Sequence, residues 1–402
     1  MKRYLVGGAV RDRLLGLPVQ DRDWLVIDTT PEELIHQGFQ RVGKEFPIFL
    51  HPETKEEHAF PRGGEGLASV AAVEADLLRR DLTINALALG PNDELIDPCG
   101  GREDLENRIL RHTPAFHEDP IRILRLARLH ARYGHLGFHI AAETALLVRE
   151  LIAGGALREA VAERVWAEVS RALTEPDPPR FFRTLRELGT LGAIIPELEA
   201  LFGVPQPEKH HPEIDAGEHS LMVLAQACRL SPEPRVRWAA LLHDLGKGTT
   251  DPDIHPHHYG HEKRGAALAR ALCGRLRVPA AWSDLAVLSA RFHGHAHKAF
   301  ELRPRTLLRM LNAFDAMRRP ERFAEFLLVC EADSRGRLGF EERPYPQAEY
   351  LAALRDAAAG VNARAIAQAT PSEGSVAENI HRARLAAIAQ ARAWLLEAAR
   401  GD

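Results

Sequence analysis

The chain has 402 residues, 45% of them apolar and 27% charged, with a net charge of −4 and a pI near 6.6. That length suits roughly two to four cores rather than one, and the near-neutral balance excludes a protein that coats nucleic acid indiscriminately, since such binding is dominated by phosphate neutralisation. No apolar run is long enough to span a membrane, the start has no secretory apolar stretch, and Cys99, Cys228, Cys273 and Cys330 show no CxxC spacing, so a reducing cytoplasm is expected and neither a disulfide framework nor a thiolate zinc site is.

The first element is a short apolar strand that runs into Gly7-Gly8, where a helix begins. Bare backbone N–H groups and the positive end of a helix dipole then face the turn, which makes it a seat for phosphate. Asp21 and Asp23 follow on a stretch rich in Trp, Leu, Val and Ile. The period-two geometry of a strand predicts both carboxylates on one face, and two hard oxygen ligands side by side suit magnesium.

A helix is expected over 30–36, capped by Thr29 or Thr30 with Pro31 in its first turn. Extended segments over 39–42, 46–51 and 56–60 complete a small α/β head with a mostly antiparallel sheet. If the last of these pairs beside the Asp23 strand, Glu57 becomes a third carboxylate for the metals; otherwise it is a surface residue next to Glu56. Residues 61–78, with Gly63, Gly64 and Gly66, read as loop.

Arg79-Arg80-Asp81 then leads into the apolar segment after Leu82. It reads either as guanidinium groups on triphosphate oxygens with a carboxylate on ribose, or as a surface ion-pair cluster. After the Asp97-Pro98-Cys99-Gly100-Gly101 turn, helices are expected over 102–111 and 118–132. In the second, Arg122, Arg125, Arg128 and Arg132 share one broad side and Asp119 precedes them. This is a solvated basic face, or Asp119 and Arg122 imitate a base edge. An acceptor beside a donor matches the amino group and ring nitrogen of cytosine or adenine and mismatches guanine and uracil.

Beyond Arg132 everything reads as helix broken by Pro- and Gly-bearing turns, giving an elongated α-helical body with a neck helix over 163–173. The Ala-rich tail from Ala348, split near 370–374, has amphipathic spacing and a packing role. Eleven of the twenty histidines fall between His210 and His297. Within that block His243-Asp244 ends a strongly apolar run, and burying such a pair is costly without a partner, for which a metal is the simplest choice. His219, His261 and His293 supply further imidazoles; the other histidines of 255–258 read as loop residues.

Gly7-Gly8-Ala9-Val10-Arg11-Asp12, Asp21-Arg22-Asp23-Trp24, Arg79 to Ala86, and Glu118-Asp119-Pro120-Ile121-Arg122 occur in the order found in the class II tRNA nucleotidyltransferases, and the chain resembles their bacterial CCA-adding members. The resemblance continues through 201–205 and 331–337. It implies a polymerase-β-type head in which Asp21 and Asp23 hold two Mg2+ ions, with Glu57 the family's third carboxylate and Arg62 its following arginine. It further implies that Gly8 and Arg11 touch the triphosphate, Asp81 the ribose, and Asp119 with Arg122 the base, while Arg80, Arg125 and Arg128 match nucleotide-contacting positions. The segment between Arg62 and Arg79 is shorter than the loop such enzymes use to switch from C to A addition, which leaves a CC-adding enzyme as an alternative.

His219, His243-Asp244, His261 and His293 resemble the HD phosphohydrolase superfamily, as in the multifunctional bacterial CCA-adding type. That implies phosphatase, 2′-nucleotidase and 2′,3′-cyclic phosphodiesterase activities with Ni2+ or Mg2+. Relatives usually carry Asp after the last histidine, where this chain has Gly294. The alternative of another class is an HD hydrolase whose head only senses nucleotide or RNA. The expected fold is α+β, with a nucleotidyltransferase head over 1–138, a helical neck over 139–206, an HD domain over 207–340 and a helical tail over 341–402. The expected partners are the tRNA 3′ end, CTP and ATP, with no membrane, in a cytoplasmic monomer or homodimer.

Overall fold

The computed structural model describes residues 1–19, 21–43, 47–62, 69–209, 211–371 and 374–401. Phe46, residues 63–68, His210 and residues 372–373, all covered by the expectations above, lie outside the described residues. The chain divides into two compact units, Met1–Ala160 with Arg183–Thr190, and Val161–Phe182 with Leu191–Asp402.

The first unit is built on a seven-stranded sheet: β1 (Lys2–Val6), β2 (Asp23–Ile27), β3 (Gln40–Val42), β4 (Ile48–Leu50), β5 (Glu57–Ala59), β6 (Ala88–Leu89) and β7 (Leu95–Ile96), in the order β3-β4-β5-β2-β1-β6-β7. All neighbours are antiparallel except β2 and β5. Alternate residues of the central strands bury to opposite faces. Tyr4, Val6, Leu25 and Ile27 pack with Val73 and Leu77, whereas Leu5 joins Val10, Ile84, Ile123 and Leu126. The helix Pro31–His36 starts as its sequence predicts, with Thr30 and Glu33 forming a reciprocal capping box.

Two expectations need correction here. Residues 61–78 are not all loop, because Val70–Leu78 is a helix burying Ala72, Val73, Asp76 and Leu77. Its Ala-rich sequence favours helix, and its buried positions recur at helical spacing around a carboxylate that masks the pattern. The helix expected over 102–111 stops at Glu106, and Ile109–Leu110 instead forms a short parallel pair with His139–Ile140. Arg108, at φ 61°, marks the break.

The second unit is helical. Helices Pro234–Leu242, Pro304–Ala313, Pro320–Arg335 and Pro346–Ala359 each begin at proline, whose missing N–H costs nothing in a first turn. Asp215 caps Ala216–Leu230 by accepting from the N–H groups of Gly217 and Glu218. Trp238, fully buried, meets the ring of Trp166 edge-on. Around this core His219, His243, Asp244 and Asp333 are all at most 4% exposed. All four cysteines are free, and among the described residues no helix is long and apolar enough to cross a membrane.

Candidate nucleotide and metal sites

In the head, strand register assembles the site. Val6 pairs with Asp23, so the first residue of β2 lies beside the last residue of β1, which runs directly into Gly7-Gly8. On its other edge β2 pairs with β5, Asp23 against Glu57. Directly paired residues share a face, so the two carboxylates stand together. Glu56 points the other way, accepting from Trp24 Nε1 at 2.9 Å and facing Arg22 at 3.6 Å. Asp21 lies just ahead of β2 rather than on it, so the period-two argument does not apply to it. It still acts on both partners: desolvation raises the Asp23 carboxyl above its ordinary range, with Asp21 adding and Arg80 opposing, and desolvation, Asp23 and Asp21 together raise Glu57. Crowded acids whose charges oppose one another fit a divalent cation held by hard oxygens.

Gly7 has φ 67° and no side-chain cap follows it, which leaves the N–H groups opening helix Gly8–Leu14 facing the turn. A Cβ at Gly7 would stand 2.6 Å from Arg80 Nη1, so only glycine lets that guanidinium lie over the turn. Arg80 is held there by Asp76, buried on Val70–Leu78, which also binds Arg62. Asp76 escaped sequence reasoning because residues 61–78 read as loop, and with Glu74 two residues before it nothing local set it apart.

Other expected contacts are occupied from within. Arg11 is buried over the Tyr133 ring, donating to Asn85 Oδ1 and to both oxygens of Asp12. Asp81 is 4% exposed. It accepts from Leu82 N, Asn85 Nδ2 and Arg125 Nη1, so it anchors Arg125 rather than offering open carboxylate to a ribose. Burial tends to raise its pKa, but Arg125 and these donors outweigh that and lower it. Arg122 donates to the carbonyls of Arg79, Arg80 and Ala115. These contacts use three of its five N–H donors and fix the guanidinium in place. Asp119 Oδ1 accepts from Ile121 N at the start of helix Ile121–Tyr133, and Arg128 lies half-buried on the same helix.

The second unit gathers the histidine block. His243 Nδ1 meets Ala240 O at 2.8 Å, His261 Nδ1 meets His258 O at 2.8 Å, His293 Nδ1 meets Ser289 O at 3.2 Å and His219 Nδ1 meets Gly336 O at 3.0 Å. Carbonyls only accept, so each Nδ1 carries the proton and each Nε2 is left to face inward. His261 and His293 Nε2 both lie 3.3 Å from Asp244 Oδ1 and 3.2 Å from each other. His243 Nε2 is 3.1 Å from Asp244 Oδ2, and His219 Nε2 is 3.2 Å from Asp333 Oδ1. His243 Nε2 and Asp244 Oδ1 are buried without a hydrogen-bond partner among the described residues. Converging imidazole lone pairs and an orphaned carboxylate oxygen fit a metal, and Asp244 belongs to two such groups, one with His219 and His243 and one with His261 and His293.

Burial tends to raise both Asp244 and Asp333, but it is outweighed, by His243 and Lys247 for Asp244 and by His243 and His297 for Asp333, so both stay ionised. Lys247 Nζ is 2.5 Å from Asp244 Oδ2. Asp333 was missed as a site residue, although its segment carried the resemblance; its isolation from the histidines in sequence hid it. His211 and Glu213, grouped with His219, were missed as well. A Cβ on Gly294 would fall 2.9 Å from Glu262 Oε1. A neighbouring helix thus brings a carboxylate to the position where Gly294 offers none.

Three family models match the chain: the Poly A polymerase head domain over residues 3–111, the probable RNA and SrmB-binding site of polymerase A over 137–202, and the HD domain over 216–334. The chain is 54% identical to the Multifunctional CCA protein of Thioalkalivibrio sulfidiphilus, covering 98% of this chain and 99% of that one. It is 53% identical to that of Alkalilimnicola ehrlichii, covering 97% of each. The crystal structure of the Bacillus stearothermophilus CCA-adding enzyme in complex with CTP shares the fold, with a TM-score of 0.64 at 24% identity over 99% of this chain and 93% of that one. With the polymerase-type head, the HD domain and full-length identity above half, the chain belongs to the multifunctional CCA protein family, nucleotidyltransferases that carry an HD domain.

Proposed function

We propose that the head builds and repairs the 3′-terminal CCA of tRNA from CTP and ATP, and that the HD cluster hydrolyses phosphate esters at such ends. The observation that carries the first half is the pairing of Asp23 with Val6 on one side and Glu57 on the other, which sets acids beside the glycine turn. Asp21, Asp23 and Glu57 would hold Mg2+, which when bound supplies charge neutralisation at the transferring phosphoryl group and a lowered pKa for the attacking hydroxyl. The N–H groups after Gly7 and the Arg80 guanidinium meet the triphosphate, and Arg125, fixed by Asp81, extends the basic wall. Arg122, with the N–H donors that its carbonyl contacts leave over, and Asp119 select the base.

Asp244, Asp333 and the Nε2 atoms of His219, His243, His261 and His293 would hold the hydrolytic metal, which supplies an activated water. An imidazole-rich set suits Ni2+ better than Mg2+, which prefers oxygen. Lys247 keeps Asp244 ionised, and the Nδ1 contacts keep each ring turned inward. Free thiols accord with a cytoplasmic protein acting on tRNA.

Extension of a tRNA ending at its discriminator base, with CTP and ATP together and products resolved by length, tests this. The expected product carries CCA, and Asp23→Asn lowers the rate by ~10^3 or more, several kcal/mol of transition-state stabilisation. Products that stop at CC would overturn complete addition. Absence of any extension, with hydrolysis of cyclic phosphates intact, would overturn the head's assignment.

A further inference from the structure

Six side chains of the head form a closed circuit of hydrogen bonds that begins and ends on helix Ile121–Tyr133. The Tyr133 hydroxyl donates to Asp12 Oδ1 at 2.7 Å. Asp12 accepts at both oxygens from Arg11, at 2.9 and 3.1 Å, and Arg11 Nη1 donates to Asn85 Oδ1. Asn85 Nδ2 in turn donates to Asp81 Oδ1 at 2.9 Å, and Asp81 Oδ2 accepts from Arg125 Nη1 at 3.3 Å. Arg125 and Tyr133 lie on one helix, anchor points about 12 Å apart along its axis.

Charges alternate around the circuit. Asp12 and Asp81 are its acids, Arg11 and Arg125 its bases, so every charge has a counter-charge within reach. Tyr133 is 2% exposed, and Arg11, Asp81 and Asn85 are buried with it, so these groups depend on one another rather than on water. Burial pushes the Tyr133 hydroxyl up to about 12 against the opposing Arg11 charge, so it stays protonated as the donor Asp12 requires. The circuit takes three of the five N–H donors of Arg11. A Cβ on Gly8 would lie 3.3 Å from Arg11 Nη2, so the guanidinium adjoins the glycine turn and its remaining donors are left for an anion there.

We propose that Tyr133 is a positioning residue for nucleotidyl transfer: its hydroxyl, through Asp12, holds the Arg11 guanidinium at the triphosphate seat and ties that seat to the helix bearing Arg122 and Arg125. Removing the hydroxyl keeps the aromatic ring 4.8 Å from the Arg11 guanidinium but opens the circuit at one point. The Asp12 side chain, 18% exposed, then takes water in place of the lost donor and moves together with Arg11. Arg125 keeps its hold on Asp81, so the phosphate end of the site loosens while the base end stays. The inference rests on the reading of the glycine turn as the seat of the triphosphate.

The test is steady-state extension by the full chain carrying Tyr133→Phe, with CTP on tRNA ending at the discriminator base and ATP on tRNA ending in CC. KM for both nucleotides is expected to rise together, about threefold to tenfold, the reach of one hydrogen bond to a charged group. The values of kcat and of KM for tRNA stay within about twofold of the parent. A fall in kcat with nucleotide KM unchanged, or an equal rise in KM for tRNA, marks general loosening and overturns the assignment. Because Tyr133 acts through Asp12, adding Tyr133→Phe to Asp12→Asn leaves the nucleotide KM within about twofold of Asp12→Asn alone; effects that multiply overturn the route. Thermal melts of each variant exclude unfolding. A folded Tyr133→Phe enzyme whose CTP and ATP KM values both stay within about twofold of an active parent overturns the role of Tyr133 alone. A parent that extends neither tRNA overturns the triphosphate reading itself.

Discussion

Asp76→Asn keeps the shape of the buried side chain and removes the charge that orients Arg80. The carboxylate, on a residue 1% exposed, accepts from Arg62 N at 3.1 Å, Arg62 Nε at 3.3 Å and Arg80 Nε at 3.1 Å, and Arg80 Nη2 also stands 3.1 Å away. The Arg62 side chain is 50% exposed and can return to water, so its share is ~0–1 kcal/mol. Arg80, at 16%, has less solvent to turn to, and its share is about 1.5–3 kcal/mol. The head should therefore lose about 2–3 kcal/mol of stability, below the ~3–5 kcal/mol of a fully buried broken pair. Arg80 also loses its place over Gly7. Because ~1.4 kcal/mol is tenfold, KM for the nucleotide should rise about tenfold or more. CTP is assayed with tRNA ending at the discriminator base and ATP with tRNA ending in CC. Both KM values should rise together, since a triphosphate contact does not distinguish bases, and Asp76→Glu should recover part of the loss. A folded Asp76→Asn enzyme with both KM values within about twofold of the parent would refute the positioning role.

Gly7→Ala meets both a positive φ and the Arg80 guanidinium, and should destabilise the head by ~1–3 kcal/mol in denaturant melts while slowing nucleotidyl transfer. The raised Asp23 and Glu57 carboxyls give a pH signature. Between their ordinary and raised pKa values the folded chain binds more protons than the unfolded one, so the metal-free head gains stability as pH falls through that window. Mg2+ needs the ionised forms and loses affinity over the same range, and Glu57→Gln should reduce both trends; melts with and without Mg2+ from about pH 4 to 6 check this. Gly294→Asp places a second carboxylate against Glu262 and should destabilise the metal-free protein by ~1–3 kcal/mol. Glu262→Gly should relieve it, with a coupling of about 0.5–3 kcal/mol in a double-mutant melt cycle; additive effects would refute the contact.

The head's chemistry was legible where local pattern and sheet geometry agree. The Gly-Gly turn, Asp23 on its strand and the capped helix after Thr30 follow from turn, alternation and capping rules, and Glu57 was identified subject to one pairing, which the register supplies. What sequence could not reveal is which side chains neutralise one another. Arg11, Asp81 and Arg122 look like free ligand contacts in one dimension, but partners from distant segments occupy them. Asp333 and Asp76 show the converse. Each shares its helix with other acids, Glu74 and Glu331 among them, and is set apart by histidines or arginines that only the fold brings near. The helix Val70–Leu78 was lost because Asp76 faces inward, against the rule that charges mark the solvent side.

The Arg62–Asp76 contact also joins two points of the chain 14 residues apart. One carboxylate thereby ties Arg62, just past β5, and Arg80, over Gly7, to the same helix. A substitution at exposed Glu74 on this helix spares both ties and costs little. A one-residue insertion within β5 is far more damaging, because it turns Glu57 to the opposite face. The clasp therefore couples the strand that carries Glu57 to the arginine beside the glycine turn, so one buried acid keeps both halves of the head's chemistry in step.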